Sequence, residues 1–197
     1  AELGNYMDTD SGGTTGEDAI DGFEIWLNTY MDPDAYQYGR VGIDDDYVPS
    51  LDLMWTGVHQ GALIIPVVGW YKYEPYIENT FAWYRNSGHV VNLNGLFCNN
   101  QNELDTGAEI WFRDPADDVY ENDLPNQSQF FTRQHTVTSV TALFSLKSTP
   151  QPGHVWPRTH CRVNNYAEYY APFLPDTKAF YEGFLWIRPT GGYSVGV

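Results

Sequence analysis

The sequence predicts an all-β fold, a single compact β-sandwich or barrel of short antiparallel strands joined by long acidic loops. Three observations support this fold class. Short segments alternate between apolar and polar side chains, which is the period of a half-buried strand. Clusters of Gly, Pro, Asn and Asp separate these segments, and helical periodicity is nearly absent. Short strands bounded by regular turns are typical of sandwiches and barrels.

The length and composition favour one folded domain with a leading tail. The chain has 197 residues, of which 42% are apolar and 18% charged, so it is not a disordered composition. Residues 1–19 contain mostly Asp, Thr, Ser and Gly, and we expect them to form an acidic flexible tail. Residues 20–197 then form the single β domain. The start at Ala1, without Met, favours excision from a longer protein.

The strands of the first half are predicted from short apolar patterns. Two alternations predict the first two strands, with Phe23, Ile25 and Leu27 in one and Leu51, Leu53 and Trp55 in the other. Residues 62–70 form an apolar run that fits a buried strand, which Pro66 restricts to an edge or a bulge. Residues 81–84, 89–97 and 108–113 are three further short strands.

The strands of the second half have clearer patterns. Residues 137–147 place Val140, Ala142, Phe144 and Leu146 on one face. Residues 155–163 predict another strand. Residues 178–188 are apolar on both faces, which indicates a strand covered on both sides. One face of that strand should carry Ala179, Tyr181, Leu185 and Ile187, and the other Phe180, Phe184 and Trp186.

The net charge excludes several kinds of partner. Ten Lys and Arg against 26 Asp and Glu give −16, so phosphate backbones are repelled and nucleic acid is not expected as a partner. No apolar stretch is long enough for membrane insertion. Residues 1–50, 51–123 and 124–197 carry net charges of −11, −8 and +3. This asymmetry fits acidic loops on one domain better than two modules.

Residue patterns for catalysis or metal binding are weak. Residues 192–196 match the G-x-S-x-G nucleophile motif, but no acid or His follows them. The acidic runs at residues 8–13 and 44–46 lack the ligand pattern of a calcium loop, so no metal and no cofactor are expected. Glu109 and Glu182 lie inside aromatic strands and are the two acids worth inspecting for a glycosidase. The simpler interpretation is that they face outward, and if Glu182 is buried we expect its pKa to be raised. We predict that the protein is not an enzyme.

Aromatic residues with polar tips are the strongest functional signal. Trp70, Tyr71, Tyr73 and Tyr76 lie within seven residues. Such side chains suit carbohydrate stacking and protein interfaces, although they also pack in cores. These four residues are therefore the candidate receptor- or glycan-binding residues. Cys98 and Cys161 lie in apolar stretches and are not expected to form a disulfide.

Three function classes remain open on these residues. The first is a binding or projection domain, which fits the acidic exterior and the surplus of Tyr and Trp. The second is a secreted carbohydrate-binding β-sandwich module or glycan hydrolase. The third is a structural β module of a larger assembly. An enzyme requires a pair of acids in a cleft, whereas a projection domain requires an apolar interface and a loop-rich outer face.

The acidic chain, its Tyr-rich strands and its length resemble the capsid spike (projection) domain of astroviruses, the avian type among them. The segments most similar in character are 129–147 and 178–188. The resemblance implies a homodimeric β spike on the virion surface of a non-enveloped RNA virus, where it mediates host-cell attachment and is bound by antibodies. It also implies a fold distantly similar to the hepatitis E virus protrusion domain. No functional residue is carried over, because no short motif defines the family.

Overall fold

The computed structural model describes residues 16–32, 34–42, 50–99, 104–113, 132–147, 153–167 and 176–191. Within these ranges the chain forms three helices and eight strands. The helices are α1 (Gly16–Tyr30), α2 (Leu51–His59) and α3 (Leu104–Gly107). The strands are β1 (Tyr36–Gly42), β2 (Leu63–Pro75), β3 (Phe81–Val90), β4 (Asn92–Phe97), β5 (Glu109–Arg113), β6 (Thr132–Ser145), β7 (Trp156–Val163) and β8 (Thr177–Pro189).

Five of these strands close into a barrel in the order β8-β2-β3-β6-β7, because β7 pairs with both β6 and β8. The long pairings are antiparallel and join β2 to β8, β2 to β3, and β6 to β7. β1 extends the sheet beyond β8, while β5 and then β4 extend it beyond β6. The predicted all-β barrel is therefore confirmed.

Two short seams complete the barrel. β3 and β6 run parallel to each other, and this pairing departs from the antiparallel strands that the sequence predicts. Each seam consists of two residue pairs: Trp83 with Phe144 and Tyr84 with Ser145 in the β3–β6 seam, and Arg162 with Phe180 and Val163 with Ala179 in the β7–β8 seam.

Apolar residues on both sides of the barrel wall form separate clusters. The main core lies between the outside of the barrel and β4, β5, α2 and α3, and includes Trp70, Ile110, Phe112 and Tyr181. An aromatic cluster of Tyr71, Phe144 and Phe180 fills the inside. Since side chains alternate across a strand, β2, β6 and β8 supply both clusters, and β8 is covered on both faces as predicted.

The first predicted strand is wrong, since Phe23, Ile25 and Leu27 lie in α1. Phe23 and Leu27 are four residues apart and share one helix face, which packs against Leu185 and Ile187 of β8. Ile25 points away from this contact and is 50% exposed. The same three residues satisfy a spacing of two and a spacing of four, so their pattern alone does not separate strand from helix.

The second predicted strand is also wrong, because Leu51, Leu53 and Trp55 lie in α2. The buried residues are Leu51 and Met54, which are three apart on one face of the helix, whereas Leu53 is exposed. Both helices therefore also correct the expectation that helical periodicity is nearly absent.

The residues of β8 that follow Glu182 lie on the opposite faces from those predicted. Phe180 lies inside the barrel, while Phe184 and Trp186 contact the main core. The register between β2 and β8 shifts between Val67 and Val68, which leaves Glu182 without a register partner on β2. A bulge of this kind reverses the faces of the residues that follow it. Pro66 lies next to this bulge, in agreement with its predicted place.

Several predictions concern residues outside the described ranges, among them most of the tail, the acidic runs at residues 8–13 and 44–46, and residues 192–196. Cys98 and Cys161 are described, and neither forms a disulfide. Among the helices of the described ranges, none combines the length and the apolar character needed to span a bilayer.

Candidate functional site

The four predicted binding residues lie on β2 or just after it, and their environments differ. Trp70 is buried in the main core, where its ring stacks on Tyr166. Tyr71 points to the other side of the strand and is fully buried inside the barrel. Tyr73, two residues further on the same face, is 50% exposed. Tyr76 is half-buried after the end of the strand. Burial thus makes Trp70 and Tyr71 unsuitable as direct ligand contacts.

Four aromatic rings form the interior of the barrel. We call Tyr71, Phe144, His160 and Phe180 the interior cluster. The rings of Phe144 and His160 stack with centroids 4.1 Å apart. Tyr71 and Phe180 meet edge to face at 5.3 Å, and Phe180 meets Phe144 in the same way at 5.1 Å. Such contacts contribute beyond the apolar area that they bury.

A buried ion pair lies beside the interior cluster. Nε of Arg85 donates to Oε1 of Glu182 over 2.7 Å, and Nη2 of Arg85 donates to Oε2 over 3.0 Å. The hydroxyl of Tyr71 also donates to Oε1, over 2.7 Å. Glu182 is therefore buried and accepts three hydrogen bonds, and the expectation of an outward-facing residue is wrong for it.

The charges of this group shift the pKa values of its members. Burial, followed by the charge of Glu182, raises the pKa of Tyr71 well above its usual value. Burial lowers the pKa of Arg85, but the charge and the hydrogen bonds of Glu182 outweigh that effect, so the pKa is raised. Tyr71 therefore stays a neutral donor and Arg85 a cation, which is what the carboxylate requires.

Two facing glycines make room for this ion pair. Gly69 of β2 and Gly88 of β3 are register partners. A Cβ atom on Gly69 would overlap Oε1 of Glu182, and a Cβ on Gly88 would overlap Nη2 of Arg85. Because both overlaps fall on hydrogen-bonding atoms, a larger residue at either position forces the side chain of Glu182 or Arg85 to shift.

His160 is the titratable member of the interior cluster. Burial, and after it the charge of Arg158, lowers the pKa of His160 to about 4, while a backbone group of Tyr181 acts in the opposite direction. At neutral pH the ring is therefore uncharged and stacks on Phe144 as an aromatic residue.

Glu109 lies apart from the group around Glu182. It begins β5, which is outside the barrel, and its neighbour Ile110 faces the main core. Since side chains alternate along a strand, Glu109 points outward, as one of its two interpretations predicts. The structure thus does not bring Glu109 and Glu182 together as a pair of acids.

Four aromatic residues with partly exposed rings lie on the inner side of the barrel wall. Strand register pairs Tyr73 with Trp83, Trp83 with Phe144, and Phe144 with Trp156. Register partners share a face of the sheet, so these residues form one row across β2, β3, β6 and β7 on the inner side. Phe81 lies two residues before Trp83 on the same face. We call Tyr73, Phe81, Trp83 and Trp156 the aromatic mouth.

The aromatic mouth presents ring faces to solvent. Tyr73, Phe81 and Trp156 are 50%, 45% and 37% exposed, and Trp83 is half-buried. The ring of Tyr73 stacks on Phe81 at 5.3 Å and contacts Trp83 at 4.9 Å. These contacts hold the rings of Tyr73, Phe81 and Trp83 against one another, whereas the ring of Trp156 contacts His154.

A cation lies at the edge of the mouth. Cζ of Arg158 is 5.1 Å from the ring centre of Trp156, two residues away on the same strand face. An arginine over an indole ring is an energetically favourable arrangement. The mouth therefore joins aromatic surface to positive charge.

Sequence reasoning found Tyr73 but missed Phe81 and Trp156. Both residues begin strands that were predicted, but their proximity to Tyr73 depends on strand order and on the parallel β3–β6 seam. Neither the strand order nor this seam can be predicted from a local sequence pattern. The period of two separates Trp70 from Tyr71 and Tyr73, but it does not distinguish buried Tyr71 from exposed Tyr73 on the same face of β2.

Within the described residues, no group of three His, Cys, Asp or Glu side chains is arranged to hold a metal ion. The site therefore consists of the aromatic mouth, Arg158 beside the ring of Trp156, and the ion pair of Arg85 and Glu182. Compared with protein-family models, with curated proteins and with solved structures, the chain matches none of them.

Proposed function

We propose that this chain is an outer-surface attachment domain that binds a host-cell receptor through the aromatic mouth, as the spike of a viral capsid does. The observation that carries the proposal is the group of stacked, partly exposed rings of Tyr73, Phe81 and Trp83 on the wall of a closed barrel. Aromatic rings bury a large area while losing few rotatable bonds, which makes them effective contacts for a glycan or a protein. The closed barrel holds them in a fixed arrangement.

The chemistry of Glu182 supports binding without turnover. A general acid must have a proton to give, and a general base needs a lone pair that is available to the substrate. Both oxygens of Glu182 accept hydrogen bonds from Arg85 and Tyr71 instead. The proposal therefore treats this carboxylate as a structural group and the domain as a binder, in preference to a glycan hydrolase.

The capsid spike is the setting that the resemblance suggests, and the overall charge suits it. A net charge of −16 makes neighbouring copies repel one another at high density. In this proposal the domain is a homodimer on the virion surface, and antibodies bind the same exposed face. Two mouths per dimer would raise the avidity for a surface that carries many receptors.

The attachment function is tested by binding the labelled 197-residue chain to cultured avian and mammalian cells. Tyr73→Ala and Phe81→Ala together should reduce cell binding at least tenfold, because they remove half of the mouth. The matched control is Tyr30→Ala, which removes an equally exposed Tyr (51%) from α1. Circular dichroism and thermal melting establish that each variant is folded. Cell binding that is unchanged in the folded double variant would refute the proposal.

The homodimer is tested by light scattering over a hundredfold dilution. A mass that stays at twice the chain mass would support the spike. A monomer at every concentration would contradict the spike, and a stand-alone carbohydrate-binding module would then use the same aromatic mouth.

A further inference from the structure

A cleft lies between α2 and the face of the sheet that β1 and β8 form. Its volume is about 160 Å³. An apolar cavity of about 150 Å³ holds a benzene molecule, so this cleft has room for one small ring. Ala62, just before β2, is part of its wall, whereas Tyr73 of the aromatic mouth lies near the other end of that strand. The cleft is therefore separate from the aromatic mouth.

Apolar side chains form the walls of the cleft. Trp186 of β8 is the register partner of Gly39 on β1. A Cβ atom on Gly39 would lie 3.0 Å from the indole of Trp186, so the absence of a side chain lets this ring lie directly over β1. Phe184 pairs in the same way with Val41, and Leu53 contributes to the wall on α2. A ligand in the cleft would thus contact mainly apolar surface, as is usual in small-molecule sites.

Arg188 supplies the positive charge of the cleft. Its Nε and Nη2 donate to Oε1 of Gln37 over 3.2 and 3.0 Å, and its Nη1 donates to Oε1 of Gln60 over 2.7 Å. Both acceptors are neutral, and within the described part of the chain Arg188 forms no ion pair with an acid. Three of the five N–H groups of the guanidinium are used in these bonds, which leaves two for a ligand. An anion in the cleft would therefore meet a cation that no described carboxylate contacts.

The polar groups at the rim of the cleft offer hydrogen-bond donors. A guanidinium can only donate, so Gln60 must turn its oxygen toward Arg188 and its NH2 group away from it. Gln60 directly follows α2 and is exposed, so a ligand can reach this NH2 group. The hydroxyl of Thr56, one turn earlier on α2, can donate as well. Apolar walls with donors at the rim favour a ligand that is apolar at one end and accepts hydrogen bonds at the other.

We propose that the cleft binds a small aromatic molecule with a single carboxylate. Its ring would pack against Trp186 and Leu53, and its carboxylate would accept hydrogen bonds from Arg188 and Gln60. A carboxylate matches a planar guanidinium in shape as well as in charge, so Arg188 orients the ligand. The net charge of −16 disfavours ligands with several negative charges. This second ligand site does not depend on the proposed attachment function.

The test is an NMR titration of the 197-residue chain with benzoate, benzamide and acetate, followed at the indole N–H signal of Trp186. Benzamide has the shape of benzoate without its charge, and acetate has the charge without the ring. We expect benzoate to shift this signal until it saturates, and to bind at least tenfold more tightly than either other probe. Benzamide or acetate that binds as tightly as benzoate would overturn the proposal. So would a titration in which benzoate leaves the Trp186 signal unshifted.

Gln60→Glu tests the rim by an isosteric change at an exposed position. The added carboxylate should pair with Arg188 and repel benzoate, which should then bind at least tenfold more weakly. Gln134→Glu is the matched control, because it adds the same charge at an exposed position of β6, away from the cleft. It should leave the benzoate affinity within about twofold of wild type, since salt screens distant charges. Equal losses in the two variants would refute the assignment of the cleft.

Arg188→Met removes the cation and keeps an unbranched side chain, so benzoate should then bind no more tightly than benzamide. Arg40→Met on β1 changes the net charge equally and is the control for this variant. Circular dichroism establishes that both are folded. A folded Arg188→Met variant that binds benzoate as wild type does would overturn the proposal. The double variant of Tyr73 and Phe81 should bind benzoate normally, which separates this site from cell attachment.

Discussion

The interior cluster and the aromatic mouth share the strands β2 and β7, yet their rings differ in exposure to solvent. Tyr71 and Tyr73 are two residues apart on one face of β2, but the first is fully buried and the second half exposed. Phe180 joins the two groups, with its ring 5.3 Å from Tyr71 and 5.1 Å from Trp83. The comparison teaches that depth along the barrel, rather than residue type, separates aromatic rings that stabilise the fold from rings that are available to a ligand.

The largest expected difference is in the free energy of unfolding when one ring of each group is truncated to Ala. Phe180→Ala leaves a cavity in the interior and should lower the free energy of unfolding by about 3–5 kcal/mol. Phe81→Ala removes a ring that is 45% exposed and should cost less than about 1 kcal/mol. Urea unfolding of both variants measures these values. Similar losses in the two variants would mean that the mouth is part of the stabilising core.

The second comparison is between two arginines, one inside the barrel and one on its surface. Arg85→Ala leaves the buried carboxylate of Glu182 without its counterion, which should cost about 3 kcal/mol. Arg188 is exposed and donates to the neutral side chains of Gln37 and Gln60, so Arg188→Ala should cost about 1 kcal/mol or less.

Chemical denaturation at neutral pH compares these two variants. Glu182→Gln in the Arg85→Ala background should then recover part of the stability, since it removes the unpaired charge. A loss in Arg85→Ala no greater than that in Arg188→Ala would show that the ion pair does not organise the interior.

The third prediction concerns pH and the interior cluster alone. Folding lowers the pKa of His160 from its usual 6.5 to about 4, so the unfolded chain binds more protons between these values. The contribution of His160 is therefore complete above pH 6.5 and is lost as the pH falls. Between pH 7 and pH 5 we expect a loss of about 2 kcal/mol from this residue.

His160→Phe keeps an aromatic ring and should remove this part of the pH dependence. Burial also lowers the pKa of His135, which contributes in the same direction, so the informative quantity is the difference between wild type and variant. Free energies of unfolding at pH 7 and pH 5 provide it. An identical pH dependence in both proteins would exclude His160 as its source.

The smallest expected effect comes from removing one hydroxyl from each of two tyrosines. Tyr71→Phe loses the hydrogen bond to Glu182, a charged acceptor, and should cost about 1.5 kcal/mol. Tyr73→Phe, whose ring is half exposed, should stay within about 0.5 kcal/mol of wild type. Thermal melting of the two variants resolves this difference. An equal change in melting temperature in both would contradict the distinction between the interior cluster and the aromatic mouth.

The sequence predicted the barrel strands more reliably than the helices or the site. In β6, Val140, Ala142 and Phe144 occupy alternate positions, and the structure packs all three together on the inner side. In α1 and α2, apolar residues occupy exposed positions such as Ile25 and Leu53, which imitates the period of a strand. Local pattern thus fails where exposed apolar residues fill in the gaps of a helical face.

The candidate site was only partly accessible from the sequence because it depends on long-range pairing. Tyr73 and Glu182 were singled out as local features, but the partner of Glu182 is Arg85, 97 positions away. Trp156 joins the mouth only through its register with Phe144, which in turn pairs with Trp83. A period of two gives the face of each residue, whereas strand order gives its neighbours.

The two-pair seam between β3 and β6 has a consequence for motion. Trp83 belongs both to this seam and to the aromatic mouth, so the position of this ring depends on one of the two shortest pairings in the barrel wall. Separating β3 from β6 breaks only two residue pairs, while the antiparallel pairings of β2 stay intact. Such sub-global opening exposes amides to hydrogen exchange without unfolding. Amides at this seam should therefore exchange faster than amides in the long antiparallel pairings of β2, while the ion pair of Arg85 and Glu182 stays closed.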